Sequence, residues 1–360
     1  MAEEGQYQPK ISPKRLKLEE IVEEGGDDRI SVLPDYLLHE ILSRLPSTKD
    51  AIRTGTLSKR WEHLWTSVPT LSFTNTDYYD IFSESPRNPN SRSDFVSFVD
   101  KTLTQCRQLK LKKFQVCSSY DIRFKSQVNN WVRYAISRDV EELDLRFWNR
   151  ESLIEVLLDE YLFISSCLTK LRLYSCKLNP SGAISWTNLR RLCISWGHID
   201  EDLIENILSG SPVLETLVLN YCYGYRRLDI TSKSVKKLVF SGYMDLSSLF
   251  GVNIIEINAP NISSLTIQED SVLNKLLLLN VFSLVEANLD YTNVSQWETM
   301  SEEEEEEMLK GLMLNLSHVK ELNIGDSCSK VVSRLEAKGF VFPSNMKFPV
   351  IRHWYDNDSE

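Results

Sequence analysis

Apolar residues recur with a fixed spacing over the middle and C-terminal parts of the chain. The unit is apolar-x-x-apolar-x-apolar, and most copies begin 21 to 29 residues after the previous one. This period is typical of a solenoid, in which each repeat adds one strand and one return segment to a continuous core. The copies are Leu111/Phe114/Val116, Val140/Leu143/Leu145, Leu168/Leu171/Leu173, Leu189/Leu192/Ile194, Leu214/Leu217/Leu219, Val235/Leu238/Phe240, Ile262/Leu265/Ile267, Leu284/Ala287/Leu289 and Val319/Leu322/Ile324.

Each apolar pair two residues apart predicts a strand with both side chains in the core, and the side chains between them then point outward. Because every repeat runs in the same direction, neighbouring strands should be parallel. Helical stripes at 128–136 and 203–208 suit the return segments, and a further helix is predicted near 94–106. We therefore expect an α/β solenoid over 94–326 with a parallel sheet on its concave face.

Residues 29–70 show a different pattern, with apolar residues at helical spacing. Pro34 suits the first turn of a first helix, and Ser47 with Asp50 resembles a capping box for a short second helix. Leu57, Trp61 and the apolar residues after them predict a third helix. Three short helices bury too little surface to be stable alone, so their exposed apolar side should meet a partner.

The remaining segments are polar. We expect a disordered tail over 1–28, a linker over 71–93 and a C-terminal tail over 327–360. The basic stretch Lys14–Lys17 is either a nuclear import signal or part of a solvated tail, and the signal would place the protein in the nucleus as well as the cytoplasm. The run Glu302–Glu307 is interpreted as a solvated loop insertion, with a site for a basic client segment as the alternative.

Charge and composition restrict the classes of partner and the cellular compartment that we expect. The net charge is −10 and the pI is about 5.2, which argues against nucleic acid as the main partner. The sequence has no apolar run long enough for a membrane span and no N-terminal stretch that resembles a signal peptide. Seven scattered cysteines suit a reducing compartment.

No pattern of catalytic residues is evident. Glycines are scattered, the five histidines form no i, i+4 pair, and no Cys-x-x-Cys occurs. Cys176 and Cys222 fall at a recurrent position of the repeat, where buried structural thiols are expected. We predict no catalytic residue, metal site or cofactor.

Two segments carry a family resemblance. Leu33-Pro34-Asp35-Tyr36-Leu37-Leu38 and Leu57-Ser58-Lys59-Arg60-Trp61-x-x-Leu64-Trp65 resemble the start and end of the plant F-box. The repeats that follow resemble the degenerate leucine-rich repeats of plant F-box proteins. Many of those relatives end in a further domain whose pattern is not evident after residue 325, so we expect it to be absent or truncated.

The resemblance implies a function. F-box proteins dock on the Skp adaptor of Skp–cullin–F-box ubiquitin ligases and present a protein client, while the chemistry is done by other subunits. A leucine-rich-repeat scaffold that acts outside a ubiquitin ligase is the alternative. The predicted adaptor contacts, among which core and interface are not separated, are Leu33, Pro34, Leu37, Leu38, Ile41, Leu42, Leu57, Trp61, Leu64 and Trp65.

The client should bind outward-facing residues of the repeat strands. Arg and Tyr are frequent in binding hot spots, and the two arginines suggest an acidic or phosphorylated client segment. An ordinary solvated sheet surface is the alternative. The predicted client contacts are Asp144, Arg146, Arg172, Tyr174, Asn220 and Gln268.

Overall fold

The computed structural model describes residues 30, 32–75, 91–148, 156–243, 254–271, 275–292 and 301–347. The chain divides into two compact units, one ending at Val68 and the other beginning at Pro69. The predicted tail 1–28 and its basic stretch Lys14–Lys17 lie outside the described residues. Among the described helices, none combines the length and the apolar character that crossing a membrane requires.

The first unit contains two short helices, α1 (Asp35–Ser43) and α2 (Thr48–Arg53). Pro34 precedes α1, where its missing N–H costs no hydrogen bond. The Ser47 hydroxyl accepts a hydrogen bond of 3.2 Å from the Asp50 amide and so caps α2, as the sequence predicts. Leu38 and Leu42 are buried, and α1 packs on a 3₁₀ turn at Leu64–Ser67.

The third segment of this unit is not the continuous α-helix that its apolar spacing predicts. Successive i+3 hydrogen bonds join the Trp61 amide to the Ser58 carbonyl and the Leu64 amide to the Trp61 carbonyl, at 3.0 and 3.3 Å. Consecutive tight turns bring residues three or four apart to one side, much as an α-helix does. Trp61, Leu64 and Trp65 are therefore buried together although the segment consists of turns.

The second unit is built on one large sheet whose strand order is β1-β2-β3-β5-β7-β8-β10-β12-β14-β15-β16. All of its pairings are parallel, which confirms the predicted fold class. These strands are β1 (Thr70–Thr74), β2 (Lys113–Ser119), β3 (Glu142–Trp148), β5 (Lys170–Tyr174), β7 (Arg191–Ser195), β8 (Thr216–Asn220), β10 (Lys237–Tyr243), β12 (Ser264–Ser271), β14 (Glu286–Thr292), β15 (Glu321–Ile324) and β16 (Met346–Lys347).

The return segments carry the helices and two small parallel sheets. β13, β11 and β9 form one sheet, and β4 pairs with β6 in the other. The small-sheet strands are β4 (Val156–Leu157), β6 (Cys176–Lys177), β9 (Arg227–Asp229), β11 (Ile254–Asn258) and β13 (Lys275–Leu279). The helices are α3 (Ser91–Gln105), α4 (Lys125–Ile136), α5 (Glu201–Gly210), α6 (Glu302–Asn315) and α7 (Ser329–Ala337).

The apolar pairs of the repeats are in register across the large sheet. Leu143 aligns with Phe114 on one side and Leu171 on the other, and the same alignment continues to Leu322 in β15. These residues are buried, so each Leu or Phe among them contributes about 1.5–3 kcal/mol to the hydrophobic stabilisation of its repeat. The repeat spacing thus predicts both the strands and their register.

The repeat unit extends beyond the predicted boundaries at both ends. The predicted linker 71–93 contains most of β1, which pairs with β2, and the start of α3. The predicted C-terminal tail 327–360 contains α7 and β16, and β16 pairs with β15. Both ends of the repeat array bury apolar side chains against the neighbouring repeat, as Leu71 and Leu335 show.

The interpretation of Glu302–Glu307 as a loop insertion is wrong, because these residues form the first half of α6. Ser301 and Glu304 form a reciprocal capping box, and acidic residues in the first turn are favoured by the helix dipole. Glu306 is only 6% exposed. It accepts hydrogen bonds from Lys338 at 2.6 Å and from Arg334 at 3.1 Å, so cations from α7 and its C-terminal end neutralise the run.

These contacts make the stability of α6 dependent on pH. The hydrogen bond from Lys338 is the main cause that lowers the pKa of Glu306, with Arg334 adding to it. A carboxylate with a lowered folded-state pKa stabilises the protein above its ordinary pKa, and this stabilisation is lost as the pH falls through the lowered value. Glu306→Gln should therefore lower the thermal midpoint at pH 7, and the difference should shrink in acid.

Scanning calorimetry of the full chain at several pH values measures this effect. Glu302→Gln is the matched control, since the Glu302 side chain is largely exposed and lies 3.8 Å from Arg334. If Glu306→Gln lowered the thermal midpoint by the same amount at every pH, the charge of Glu306 would not be the cause of the loss.

Candidate functional site

The first unit exposes an apolar stripe on α1. Pro34, Leu37 and Ile41 are exposed and follow each other at three- and four-residue spacing, which places them on one helix face. Leu37 is 36% exposed and Ile41 is 42% exposed, whereas Leu38 and Leu42 on the adjacent face are buried. Such a stripe on a small module is typical of a binding surface.

The structure therefore separates nine of the ten predicted adaptor contacts into a core group and an exposed group. The core group is Leu38, Leu42, Trp61, Leu64 and Trp65. The exposed group is Pro34, Leu37, Ile41 and Leu57, and Leu33 is half-buried. Val32 and Tyr36 are also exposed and were not among the predicted contacts.

Arg60 joins the segment after Leu57 to the start of α1. Its Nη2 donates hydrogen bonds to the Leu33 carbonyl at 2.5 Å and to Asp35 Oδ1 at 2.7 Å. These bonds tie the turn that follows Leu57 to the start of α1. The exposed Leu57, with 67% of its surface accessible, thus belongs to a segment anchored beside the apolar stripe.

The second unit presents a polar face, which we define as the sheet side chains that alternate with the core pairs and point away from the core. Register aligns these side chains in three columns. The first column is Lys113, Glu142, Lys170, Arg191, Thr216, Lys237, Ser264, Glu286 and Glu321. The middle column is Gln115, Asp144, Arg172, Cys193, Val218, Val239, Thr266, Asn288 and Asn323. The last column is Cys117, Arg146, Tyr174, Ser195, Asn220, Ser241, Gln268 and Asp290.

The predicted client residues all lie on this face. Four of them, Arg146, Tyr174, Asn220 and Gln268, share the last column, while Asp144 and Arg172 are neighbours in the middle column. Arg146 donates two hydrogen bonds to Asp144, at 2.9 and 2.8 Å, and Arg172 lies 3.9 Å from the same carboxylate. One carboxylate is thus shared by two cations.

Much of the polar face is less accessible than outward-pointing strand positions suggest. Asp144 is 8% exposed, and Ser241 and Asn288 are also buried. Hydrogen bonds between side chains of neighbouring strands satisfy some of these polar groups, since Asn323 Nδ2 donates to Asn288 Oδ1 at 2.8 Å. Small side chains in the middle of the sheet therefore form a floor, and the arginines and aromatic residues beside it are among the half-exposed groups, as are Asn220 and Gln268.

An aromatic row borders this floor at the carboxyl ends of the strands. Trp148 and Trp196 each lie 6.5 Å from Tyr174 between ring centroids, and Trp196 stacks on Tyr221 at 4.7 Å and 19°. All four rings are half-buried, so each keeps part of its surface accessible. Aromatic side chains of this kind supply large contact area with few rotatable bonds.

The backbone of this row is unusual. Ser175, Trp196 and Tyr221, at the ends of β5, β7 and β8, have φ near +50°, and Gly242 near the end of β10 has φ 65°. This left-handed conformation costs a residue other than glycine about 1–2 kcal/mol. The same conformation occurs at Asp139 and Asn280, which lie outside the row, so it accompanies turns throughout the repeat unit.

Five of the seven cysteines are buried. Cys176 and Cys222 are buried, as predicted, and the Cys222 thiol donates to the Ile194 carbonyl at 3.3 Å. Burial raises the pKa of Cys117 to about 11 and that of Cys328 to about 12, so both thiols are protonated at neutral pH. Within the described ranges, no group of three or more His, Cys, Asp or Glu side chains could hold a metal ion.

Comparison with known proteins agrees with both units. Residues 30–73 match the F-box domain, and residues 100–325 match the domain described as "At1g61320/AtMIF1, LRR domain". The chain is 35% identical to "Putative F-box protein At1g49610" of Arabidopsis thaliana over 88% of this chain and 74% of that protein. It is 33% identical to "F-box protein At5g03100" of the same plant over 89% and 95% of the two chains.

A third relative is itself named as a leucine-rich-repeat protein. "F-box/LRR-repeat protein 25" of Arabidopsis thaliana is 35% identical over 59% of this chain and 74% of its own length. The family domains cover both the helical unit and the parallel sheet, in the order that the sequence predicts. This chain belongs to the plant F-box/leucine-rich-repeat family.

Proposed function

We propose that this protein is the substrate-recognition subunit of a Skp–cullin–F-box ubiquitin ligase. The main support is that one chain contains two different units. The first is an F-box with an exposed apolar stripe, and the second is a repeat unit with a large polar face. The stripe binds the Skp adaptor, which connects the chain to a cullin, and the polar face binds a protein client. The chain itself supplies proximity, because holding a client near the transferring enzyme raises the effective concentration of its lysines.

Reconstitution tests the assignment. Purified chain, Skp adaptor, cullin, ring subunit and charged ubiquitin-conjugating enzyme should together ubiquitinate a captured client, and leaving out this chain should abolish the reaction. A client that binds with no ubiquitination in the complete mixture would favour the alternative, a repeat scaffold that acts outside a ubiquitin ligase.

The client surface that we propose is centred on β3 and β5. Arg146 and Arg172 are half-exposed, share the carboxylate of Asp144 and lie beside Tyr174. Half-exposed Arg and Tyr side chains beside a floor of small residues are the combination that dominates interface energetics, since they lose much accessible area on binding. Asn220 and Gln268 extend the same column toward the C-terminal repeats.

Replacing Arg146, Arg172 and Tyr174 together by Ala should lower client capture by about 30-fold or more, because removing hot-spot side chains costs upwards of about 2 kcal/mol. Affinity purification from plant cells treated with a proteasome inhibitor, followed by quantitative mass spectrometry, identifies the client and measures the loss. Binding of the Skp adaptor should be unchanged in the same samples.

The matched control replaces Arg123, Arg227 and Tyr161 by Ala, which are the same residue types outside the polar face. This control should retain full capture. A client captured equally by the polar-face variant would place the client site elsewhere on the chain.

A further inference from the structure

The first column of the polar face places like charges directly opposite each other at two separate places. Lys170 in β5 is the register partner of Arg191 in β7, and Glu286 in β14 is the register partner of Glu321 in β15. Like charges directly opposite on neighbouring strands destabilise a sheet. The strands on the other side offset part of each repulsion, since Lys170 forms an ion pair of 3.0 Å with Glu142 and Glu321 forms one of 2.8 Å with Lys347.

The rest of the face has the same separation of charge. Around the first pair, Arg146 and Arg172 add cations, against the carboxylates of Glu142 and Asp144. Around the second pair, Asp290 adds a carboxylate on β14, and Lys347 on β16 adds one cation. Between the two regions, β8 contributes only the uncharged Thr216, Val218 and Asn220, and Lys237 in β10 adds a single cation. The columns therefore have a net positive charge over β3, β5 and β7 and a net negative charge over β14, β15 and β16.

We propose that the client binds as an extended segment that crosses the strands, with acidic residues at β5 and β7 and basic residues at β14 and β15. This inference rests on the proposed function, since it assumes that the polar face holds the client. Charge complementarity along an interface fixes the register and orientation of a partner. A ligand of the opposite polarity complements the net charge that remains at each region beside the ion pairs of Lys170 with Glu142 and of Glu321 with Lys347.

The spacing of the two regions sets the length of the segment. The centres of the two like-charge pairs are five strand spacings apart in the sheet order, which is about 24 Å. An extended chain advances about 3.3–3.6 Å per residue, so about seven residues separate the centres of the acidic and basic groups of the client.

Fluorescence anisotropy with synthetic peptides tests the proposal on the full chain. The block peptide contains three glutamates, four serines and three lysines, which puts the centres of the charged groups about seven residues apart. A peptide of identical composition with alternating charges is the control. We expect the block peptide to bind at least about 10-fold more tightly at low salt and to lose this advantage as salt screens the charges.

Charge reversal distinguishes binding from misfolding. Lys170→Glu with Arg191→Glu should remove the preference for the block peptide, and Glu286→Lys with Glu321→Lys should do the same. The variant with all four substitutions should recover the preference, because the peptide then binds in the reverse direction. A folding defect would not be reversed by adding further substitutions, so this recovery isolates the charge pattern.

Three outcomes would overturn the proposal. The block and alternating peptides bind equally, or the four-residue variant does not recover, or single-stranded RNA or anionic vesicles bind the cationic end with no dependence on Glu286 and Glu321. If client capture still requires Arg146, Arg172 and Tyr174 in any of these cases, the proposed function stands and only the polarity of the client is wrong.

Discussion

Replacing Leu37 and Ile41 together by Asp is expected to reduce the affinity for a Skp adaptor by at least about 100-fold. Both side chains are exposed on one face of α1, so the substitutions leave the core of Leu38 and Leu42 intact. In the complex they would bury carboxylates without partners, and each buried unpaired charge costs several kcal/mol. Isothermal titration calorimetry with a purified adaptor measures the change.

The control replaces Leu109 and Phe282 by Asp, two exposed apolar side chains of the repeat unit. This variant should bind the adaptor as tightly as the wild type. Circular dichroism should show that both variants keep the wild-type content of helix and strand. A folded Leu37→Asp/Ile41→Asp variant with unchanged affinity would show that the adaptor docks on a different surface.

The largest effect on stability is expected at Trp186. Its side chain is fully buried in the repeat core, lies 6.3 Å from the Phe163 ring and donates a hydrogen bond of 2.7 Å to the Leu162 carbonyl. Trp186→Ala leaves a cavity and should lower the free energy of unfolding by about 3–5 kcal/mol. The loss of the donor to a buried carbonyl adds about 1–3 kcal/mol.

Urea unfolding followed by circular dichroism measures this loss. Trp186→Phe keeps most of the apolar volume and removes the hydrogen bond, so its effect should be clearly smaller. Trp148→Ala is a second comparison, since that ring is half-exposed at the C-terminal end of β3. A loss below about 1 kcal/mol for Trp186→Ala would mean that the repeat core collapses to fill the cavity.

The repeat spacing is sufficient to predict the sheet because strand register depends on local pattern. Each pair such as Leu171 and Leu173 must face the core, and a shift by one residue would expose both. The same argument predicts which side chains reach the polar face. Applied to the residue before each apolar pair, the argument would also have identified the first column, with its like-charge pairs at Lys170 and Glu286.

Features set by distant contacts are not visible in local sequence. The run that begins at Glu302 has the charge pattern of a solvated loop, and the cations that stabilise it as a helix are Arg334 and Lys338, about 30 residues later. Accessibility is a second example. Leu37 and Leu38 have the same chemistry and adjacent positions, and only the packing of α1 shows which one is exposed.

The separation of core positions from polar-face positions has a consequence for evolution. Alternate residues of each strand serve different purposes, since Leu143 and Leu145 hold the repeat together while Asp144 and Arg146 lie on the opposite side of the sheet. Substitutions at the half-exposed positions of the polar face, such as Arg146, therefore leave the apolar pairs and the strand register unchanged. A duplicated gene can acquire a new binding preference through such substitutions while its apolar stripe on α1 is retained.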